Sequence, residues 1–398
     1  MLEKLIKKYR SIFATAYFIV FLAYIICMID NQGAPDSVSE GVNYYTSGGW
    51  AIMCGRWGQY LLMKYCFANL VLPVVNIFIY ATLVALAMCI LGKLFDLELK
   101  ELCIVTALAL VSPSAISQLQ FIYLIVSWAS AIILSVSVVY LINLKTEKKV
   151  LYVIKLFAAA LLVAIDIGMY QTYIGAIAGL ALMVMIIDLL RGEHQWKYYV
   201  KRVVEYILTC GLGLGFYAFI LNIICKNNNI VLSGRVQQFS IKEIFISLPN
   251  SIIEIYKIFF SYYRDPMMNR KWFYFVIFVL GFVSFMRGVY LLLSKGKRIS
   301  AVFSLSLVFI LPIALNLVRV VIPYNRITLL MEYQNIFVVP FIICLSKNKI
   351  IYLNSNNQTQ GKWPFLNVLG GEIPSWYVFV QCFWHGLICC PLMQHFKL

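Results

Sequence analysis

The sequence predicts an all-α fold, a polytopic transmembrane helical bundle of about ten spans (between about nine and eleven), and composition is the first reason. Of 398 residues, 62% are hydrophobic and 13% are charged, and the mean hydropathy is +0.84. Soluble domains carry about 45–50% apolar and about 25% charged residues, and disordered chains are less apolar still. The composition therefore excludes both a soluble globular domain and a disordered chain.

The second reason is that the apolar residues cluster in runs of about 17–24, the length at which a helix crosses a bilayer. Short hairpins join most runs, but two longer segments, residues 30–69 and 225–271, interrupt the series. Neither segment is of low complexity, so we expect both to carry function. The predicted spans are residues 11–29, 70–91, 102–117, 121–144, 150–167, 170–190, 203–224, 272–293, 301–321 and 329–345.

The distribution of charge predicts the orientation of the chain. The net charge of +16 comes from 33 Lys and Arg against 17 Asp and Glu, and the basic residues concentrate in alternate loops. The positive-inside rule explains this alternation without a nucleic-acid partner. It predicts a cytoplasmic N-terminus and places both long segments outside the membrane.

The cysteine and histidine patterns point to no metal and no cofactor. The eleven cysteines include no CxxC pair and no zinc-ligand spacing, and the three histidines form no cluster. This argues against a zinc site and against a Ser-His-Asp triad.

Both long outer segments contain stretches typical of interfacial helices. Residues 50–63 are too short to span a membrane and hold Trp50, Trp57 and Tyr60 around one arginine. Residues 241–260 place apolar side chains at helical spacing, with lysines and glutamates between them. We expect both stretches to lie on, or dip into, the outer face.

Three carboxylates in the first outer segment are candidate general bases. Asp30 closes the first span, and a carboxylate held at that height can accept a proton from a sugar hydroxyl. The alternative for Asp30 is an ordinary helix-end acid facing water. Glu40 lies three residues after Ser37, the spacing of a capping box, and Asp36 can be a competing N-cap. Helix capping is therefore the alternative for these two.

Three arginines on the outer side are candidates for binding a phosphate. Arg56 lies in the motif Gly55-Arg56-Trp57-Gly58, and Arg319 and Arg326 bracket the outer end of the ninth predicted span. An arginine at membrane depth is costly and usually has a function or a partner. Its planar guanidinium suits bidentate binding of phosphate. A salt bridge, or contact with lipid headgroups, is the alternative.

The outer turn between the fifth and sixth spans carries polar groups at headgroup depth. Gly168 allows the turn, and Tyr170 and Gln171 offer hydrogen bonds to a substrate. The alternative is turn chemistry combined with an interfacial aromatic belt.

These segments together resemble the bacterial glucosyltransferase II family of polytopic membrane proteins. In that family an acidic outer segment follows the first span and leads to a Gly-Arg-Trp motif, here Gly55-Arg56-Trp57-Gly58. The Tyr170-Gln171 pair is also similar, and the resemblance covers residues 11–345. Two features depart from the family. Asp30-Asn31 stands where an acidic pair is often expected, and the chain after about residue 350 does not resemble the family.

The resemblance implies a GT-C-like glycosyltransferase at the outer face of the cytoplasmic (inner) membrane. It implies transfer of a glucosyl unit from undecaprenyl phosphate to a surface glycan, such as O-antigen, capsule or wall polymer. A donor-lipid flippase and synthase are then candidate partners. The implied roles are a base among Asp30, Asp36 and Glu40, phosphate binding by Arg56, Arg319 and Arg326, and substrate contact by Trp57, Tyr170 and Gln171.

The sequence predicts one transmembrane glycosyltransferase domain, residues 1–349, followed by a divergent tail, residues 350–398. Within the tail, residues 376–393 fit an additional span or an interfacial anchor. Two other function classes stay open. One is a surface-polysaccharide polymerase or lipid-linked sugar flippase, and the other is a solute transporter. A transporter places ionisable residues near the membrane midplane, whereas the charges here cluster at the outer boundary.

Overall fold

The computed structural model describes residues 2–30, 44–119, 121–192, 194, 196–233, 241–262, 271–321 and 329–347. Within these ranges the chain forms helices and no β-strand, which confirms the predicted all-α class. The tail, with its predicted segment 376–393, lies outside the described residues.

The helices follow one another along the chain with mostly short connections. A π-helix spans Leu62–Cys66, and 3₁₀ turns span Gln171–Tyr173, Leu329–Met331 and Tyr333–Phe337. The α-helices are α1 (Leu2–Asp30), α2 (Gly48–Met53), α3 (Trp57–Leu61), α4 (Pro73–Phe95), α5 (Leu99–Leu110), α6 (Pro113–Leu119), α7 (Ile125–Asn143), α8 (Lys149–Met169), α9 (Ile174–Arg191), α10 (Trp196–Asn227), α11 (Ile241–Tyr262), α12 (Lys271–Ser294), α13 (Arg298–Leu315), α14 (Leu317–Val321) and α15 (Val338–Ser346).

Seven of the described helices are long and apolar enough to cross a membrane, namely α4, α7 to α10, α12 and α13. The pair α5 and α6, bent by 50° before Pro113, would be an eighth if it forms one span. The break falls at a proline because proline cannot continue the backbone hydrogen bonds of a helix. Two shorter apolar helices, Tyr9–Ile25 and Tyr333–Ser346, coincide with the first and last predicted spans. The protein is thus a multi-pass membrane protein, compatible with about ten spans.

Helix α7 lies at the centre of the packing that supports the site described below. It packs against α4 and α8, while α8 packs against α10 and α9 packs against α13. Trp128, in the first turn of α7, is 2% exposed. Its ring contacts the rings of Phe121 and Tyr170 edge to face. The connection between α8 and α9 therefore lies against the interior of the bundle.

The opposite end of α7 is held by a buried group of charged and polar side chains. Lys155 Nζ donates to the carbonyls of Ile142, at 3.1 Å, and Leu144, at 2.9 Å, where α7 ends. Glu205 accepts hydrogen bonds from Arg202, at 2.9 Å, and from the Tyr152 hydroxyl, at 2.6 Å. Cations near the end of α7 suit its free carbonyls and its negative dipole end.

The described parts of the two long segments, residues 30–69 and 225–271, meet at one end of the bundle. The backbone N–H of Ser233, which follows α10, donates to the carbonyl of Met53 in α2 at 2.9 Å. The predicted interfacial stretch 50–63 corresponds to α2, α3 and the start of the π-helix, and the predicted stretch 241–260 corresponds to α11. Helix α11 packs against α13 and α14.

Candidate functional site

The Gly55-Arg56-Trp57-Gly58 motif forms the bend between two short helices of the first long segment. Helix α2 ends at Met53, Gly55 has φ +75°, and α3 begins at Trp57. The backbone N–H of Arg56 donates to the carbonyl of Ala51 at 2.7 Å, which closes the bend. The left-handed conformation at the bend is one that glycine adopts without a steric penalty.

The motif docks onto the turn at the end of α8, more than a hundred residues later in the chain. A Cβ atom on Gly58 would lie 2.9 Å from the carbonyl carbon of Gly168, and one on Gly168 would lie 2.6 Å from the Trp57 ring. Both distances are too short for a real Cβ, so each position needs glycine. Trp57 itself is 4% exposed. Two sequence motifs that are far apart in the chain therefore form one packed unit.

The guanidinium of Arg56 lies over the ring of Tyr170, with Cζ 4.5 Å from the ring centroid. Tyr170 is 3% exposed and also contacts Trp128 and Tyr173, so its ring is held on several sides. Arg56 Nε is buried and has no hydrogen-bond partner among the described residues, and Arg56 forms no ion pair within that part of the chain. A stacked guanidinium with a free N–H is equipped to bind an anion.

Gln171 contacts the backbone of the same bend. Its Nε2 donates to the carbonyl of Cys54 at 2.6 Å. The hydroxyl of Tyr217, from α10, donates to the carbonyl of Gly55 at 3.0 Å. The structure therefore brings together Arg56, Trp57, Tyr170 and Gln171, four of the nine candidate residues from the sequence.

Arg319 lies in α14 and forms an ion pair with Glu254 of α11. Helix α14 also packs against the 3₁₀ turn Gln171–Tyr173, so Arg319 belongs to the same end of the bundle as Arg56. Arg326 lies outside the described residues.

Of the three candidate carboxylates, only Asp30 lies within the described residues. Asp30 is the last residue of α1, while Asp36 and Glu40 fall outside the described residues. Asp166, in the last turn of α8, is completely buried and accepts a hydrogen bond from the Ser135 hydroxyl at 3.1 Å. In the part of the chain that is described, no three His, Cys, Asp or Glu side chains lie close enough to hold a metal ion.

A comparison with known proteins decides the family. The model of the family described as "Glucosyl transferase GtrII" matches residues 36–344. The chain belongs to the GtrII glucosyl transferase family. This confirms the resemblance drawn from the motifs, and it identifies the protein as a membrane glucosyltransferase. No curated protein matches the chain, and neither does any solved structure.

In this GtrII protein, sequence reasoning missed Tyr217 and the burial of Asp166. Tyr217 lies inside the seventh predicted span, where an aromatic residue gives no signal that distinguishes it from other membrane-embedded tyrosines. Its contact with Gly55 joins positions 162 residues apart, so no local pattern predicts it.

Proposed function

We propose that this GtrII protein transfers a glucosyl unit from undecaprenyl-phosphate glucose to a hydroxyl group of a surface glycan. The observation that carries the proposal is Arg56, stacked on Tyr170 with a buried Nε that has no partner among the described residues. A rigidly held guanidinium beside the membrane suits a lipid-linked phosphate better than a soluble substrate.

The donor phosphate binds to Arg56 in this proposal, with Arg319 or Arg326 as a second cation. Trp57, the next residue, packs against Gly168, and the polyprenyl chain lies against lipid-facing helices. The chain has no nucleotide-binding soluble domain in its sequence, so a lipid-linked sugar is a better donor than a nucleotide sugar.

The reaction is a single displacement at the anomeric carbon of the glucosyl unit. One carboxylate, Asp30 or else Asp36 or Glu40, accepts the proton of the acceptor hydroxyl. The acceptor oxygen bonds to C1 as the bond between C1 and the phosphate oxygen breaks. The electron pair of the broken bond stays on the phosphate oxygen of the departing undecaprenyl phosphate. Arg56 stabilises the negative charge that develops on this leaving group.

In this proposal the site lies at the outer face of the cytoplasmic membrane. The positive-inside rule predicts both long segments on that face, opposite the basic loops. A synthase that makes the lipid-linked glucose and a flippase that moves it outward are the partners that such a reaction requires. The acceptor is a surface glycan such as O-antigen, capsule or wall polymer.

The test measures transfer from synthetic undecaprenyl-phosphate glucose in detergent, at matched protein levels, with glycan extracted from cells that lack the gene. We expect Arg56→Lys to lower the rate about 100-fold, since a point charge does not replace the bidentate fork. Arg298→Lys, at an exposed arginine that begins α13, is the matched control and keeps the wild-type rate.

Substitution of the acids then identifies the base. Asp30→Asn abolishes transfer if Asp30 is the base, while Glu40→Gln stays active, because glutamine still serves a capping box. The reverse result assigns the base to Glu40. Normal rates in both Arg56→Lys and Asp30→Asn would contradict the proposed site. Chain elongation of the glycan without glucose addition would instead indicate a polymerase.

A further inference from the structure

Polar side chains from two distant helical elements converge on the backbone just before Arg56. The Tyr217 hydroxyl donates to the carbonyl of Gly55 at 3.0 Å, and Gln171 Nε2 donates to the carbonyl of Cys54 at 2.6 Å. The two side chains also contact each other, with Gln171 Nε2 3.4 Å from the Tyr217 oxygen. We call these two residues and the carbonyls they bind the backbone clamp.

The backbone clamp requires glycine at position 55. Gly55 has φ +75°, and a Cβ atom there would collide with the Tyr217 hydroxyl and the Gln171 amide. The close approach of both side chains is therefore possible only because this residue lacks a side chain. The bend, the glycine and the two polar partners form one built feature.

Arg56 lies between the backbone clamp and the ring of Tyr170. Its main chain follows directly on the two clamped carbonyls, and its Cζ is 4.5 Å from the Tyr170 centroid. Tyr170 and Gln171 are consecutive, so the stacking and the clamp are built on the same turn. The Arg56 guanidinium is therefore held by Tyr170 at the end of α8, and the backbone just before Arg56 is held by Gln171 and by Tyr217 of α10.

From this arrangement we infer that Tyr217, together with Gln171, is a positioning residue that orients the Arg56 guanidinium toward the donor phosphate. The inference rests on the proposed function and adds to it a residue of α10 and a role for Gln171. Bidentate binding depends on the orientation of the guanidinium plane, and a misplacement of about 1 Å is costly in a reactive site. Gln171 then acts through Arg56 and not on the sugar.

The test is Tyr217→Phe, which keeps the ring and removes the hydroxyl. We expect kcat/KM for undecaprenyl-phosphate glucose to fall about fivefold to tenfold, as for loss of one hydrogen bond. Both a higher KM and a lower kcat contribute, because Arg56 binds the donor phosphate and also stabilises the leaving group. Tyr206→Phe is the matched control, because Tyr206 lies in the same helix and its hydroxyl accepts a hydrogen bond from Asn143 at 2.6 Å. We expect this control to keep the wild-type kcat/KM.

A second variant, Gln171→Met, removes the amide at similar length and should lower the same kcat/KM. Combining Tyr217→Phe with Arg56→Lys should add no further loss, because the clamp acts only through Arg56. Absence of transfer by the wild-type protein would contradict the proposed function itself, and normal transfer by Arg56→Lys would contradict the role of Arg56 in it. An impaired Arg56→Lys beside wild-type kcat/KM values in folded Tyr217→Phe and Gln171→Met would overturn only this inference. Equal kcat/KM changes in Tyr217→Phe and Tyr206→Phe would also overturn it.

Discussion

Arg56 and Tyr170 form a stacked pair between two segments that sequence analysis treats separately, with the guanidinium carbon 4.5 Å from the ring centroid. The pair joins the bend between α2 and α3 to the turn that links α8 and α9. It converts a flexible side chain into a fixed one, because the ring is itself buried against Trp128 and Tyr173.

We expect Tyr170→Leu to lower kcat/KM for the donor about tenfold, since stacking of an arginine on an aromatic ring contributes about 0.5–2 kcal/mol. Tyr170→Phe keeps the ring and should stay within about twofold of wild type by the same reasoning. Transfer assays in detergent distinguish the two. Equal losses in both variants would show that the hydroxyl, not the stacking, is what matters.

The contact between Trp57 and Gly168 predicts a loss of stability on adding one methyl group. Gly168→Ala places a Cβ 2.6 Å from the Trp57 ring, and overpacking of this kind costs about 1–3 kcal/mol. Gly211→Ala is the control, because a Cβ there meets nothing within 4 Å. Thermal unfolding in detergent should show a lower melting temperature for Gly168→Ala alone. Identical melting of the two variants would contradict the packing described here.

Exchanging the charges of the Arg319–Glu254 ion pair distinguishes a structural role of Arg319 from a role in phosphate binding. If the arginine only fixes α11 to α14, Arg319→Glu loses activity and the exchange Arg319→Glu with Glu254→Arg restores it. If the arginine also binds the donor phosphate, the exchange restores the ion pair but does not restore transfer. We expect partial rescue of thermal stability and no rescue of transfer. Full rescue of both would remove Arg319 from the phosphate site.

The buried charges at the other end of the bundle predict unequal effects for two neighbouring cations. Arg202 and Lys201 both pair with Glu205, at 2.9 Å and 3.9 Å, but the Lys201 side chain is 70% exposed. We expect Arg202→Gln to cost about 3–5 kcal/mol of stability, because it removes the closer of the two cations that pair with a buried carboxylate. Lys201→Gln should cost less than about 1 kcal/mol, as for exposed pairs. Thermal unfolding of the two variants measures the difference directly.

Cys66 offers a test of the predicted orientation without an introduced label site. It is exposed and lies at the end of the π-helix of the first long segment. A membrane-impermeant maleimide should label intact cells, and Cys66→Ser should remove that signal. If Cys66 is labelled only after the cells are broken open, the segment lies in the cytoplasm and the predicted orientation is wrong.

The sequence predicts the helical elements well because apolar runs and amphipathic spacing are local signals. The spacing predicts an amphipathic helix over residues 241–260, and α11 spans Ile241–Tyr262. The sequence does not predict the break between α5 and α6. The predicted span 102–117 treats Ser112-Pro113 as continuous, although the proline begins a new helix bent by 50° from the last.

The candidate site was predictable as residue types but not as geometry. The cost of an arginine at membrane depth identifies Arg56 from its position alone. Its stacking on Tyr170 and the clamp by Tyr217 depend on contacts between distant parts of the chain, for which one sequence carries no local signal. Asp166 illustrates the same limit, since its position near the end of an apolar run does not predict that its side chain is completely buried.

The docking of the arginine bend onto the end of α8 also sets an order of assembly during synthesis. The partners of Cys54 and Gly55 lie 117 and 162 residues further along the chain. The bend is therefore synthesised well before Gln171 and Tyr217, the residues that hydrogen-bond to its carbonyls. A nascent chain that has not yet inserted α10 lacks part of the contacts around Arg56, so the bend reaches its final position only once most of the bundle has been built.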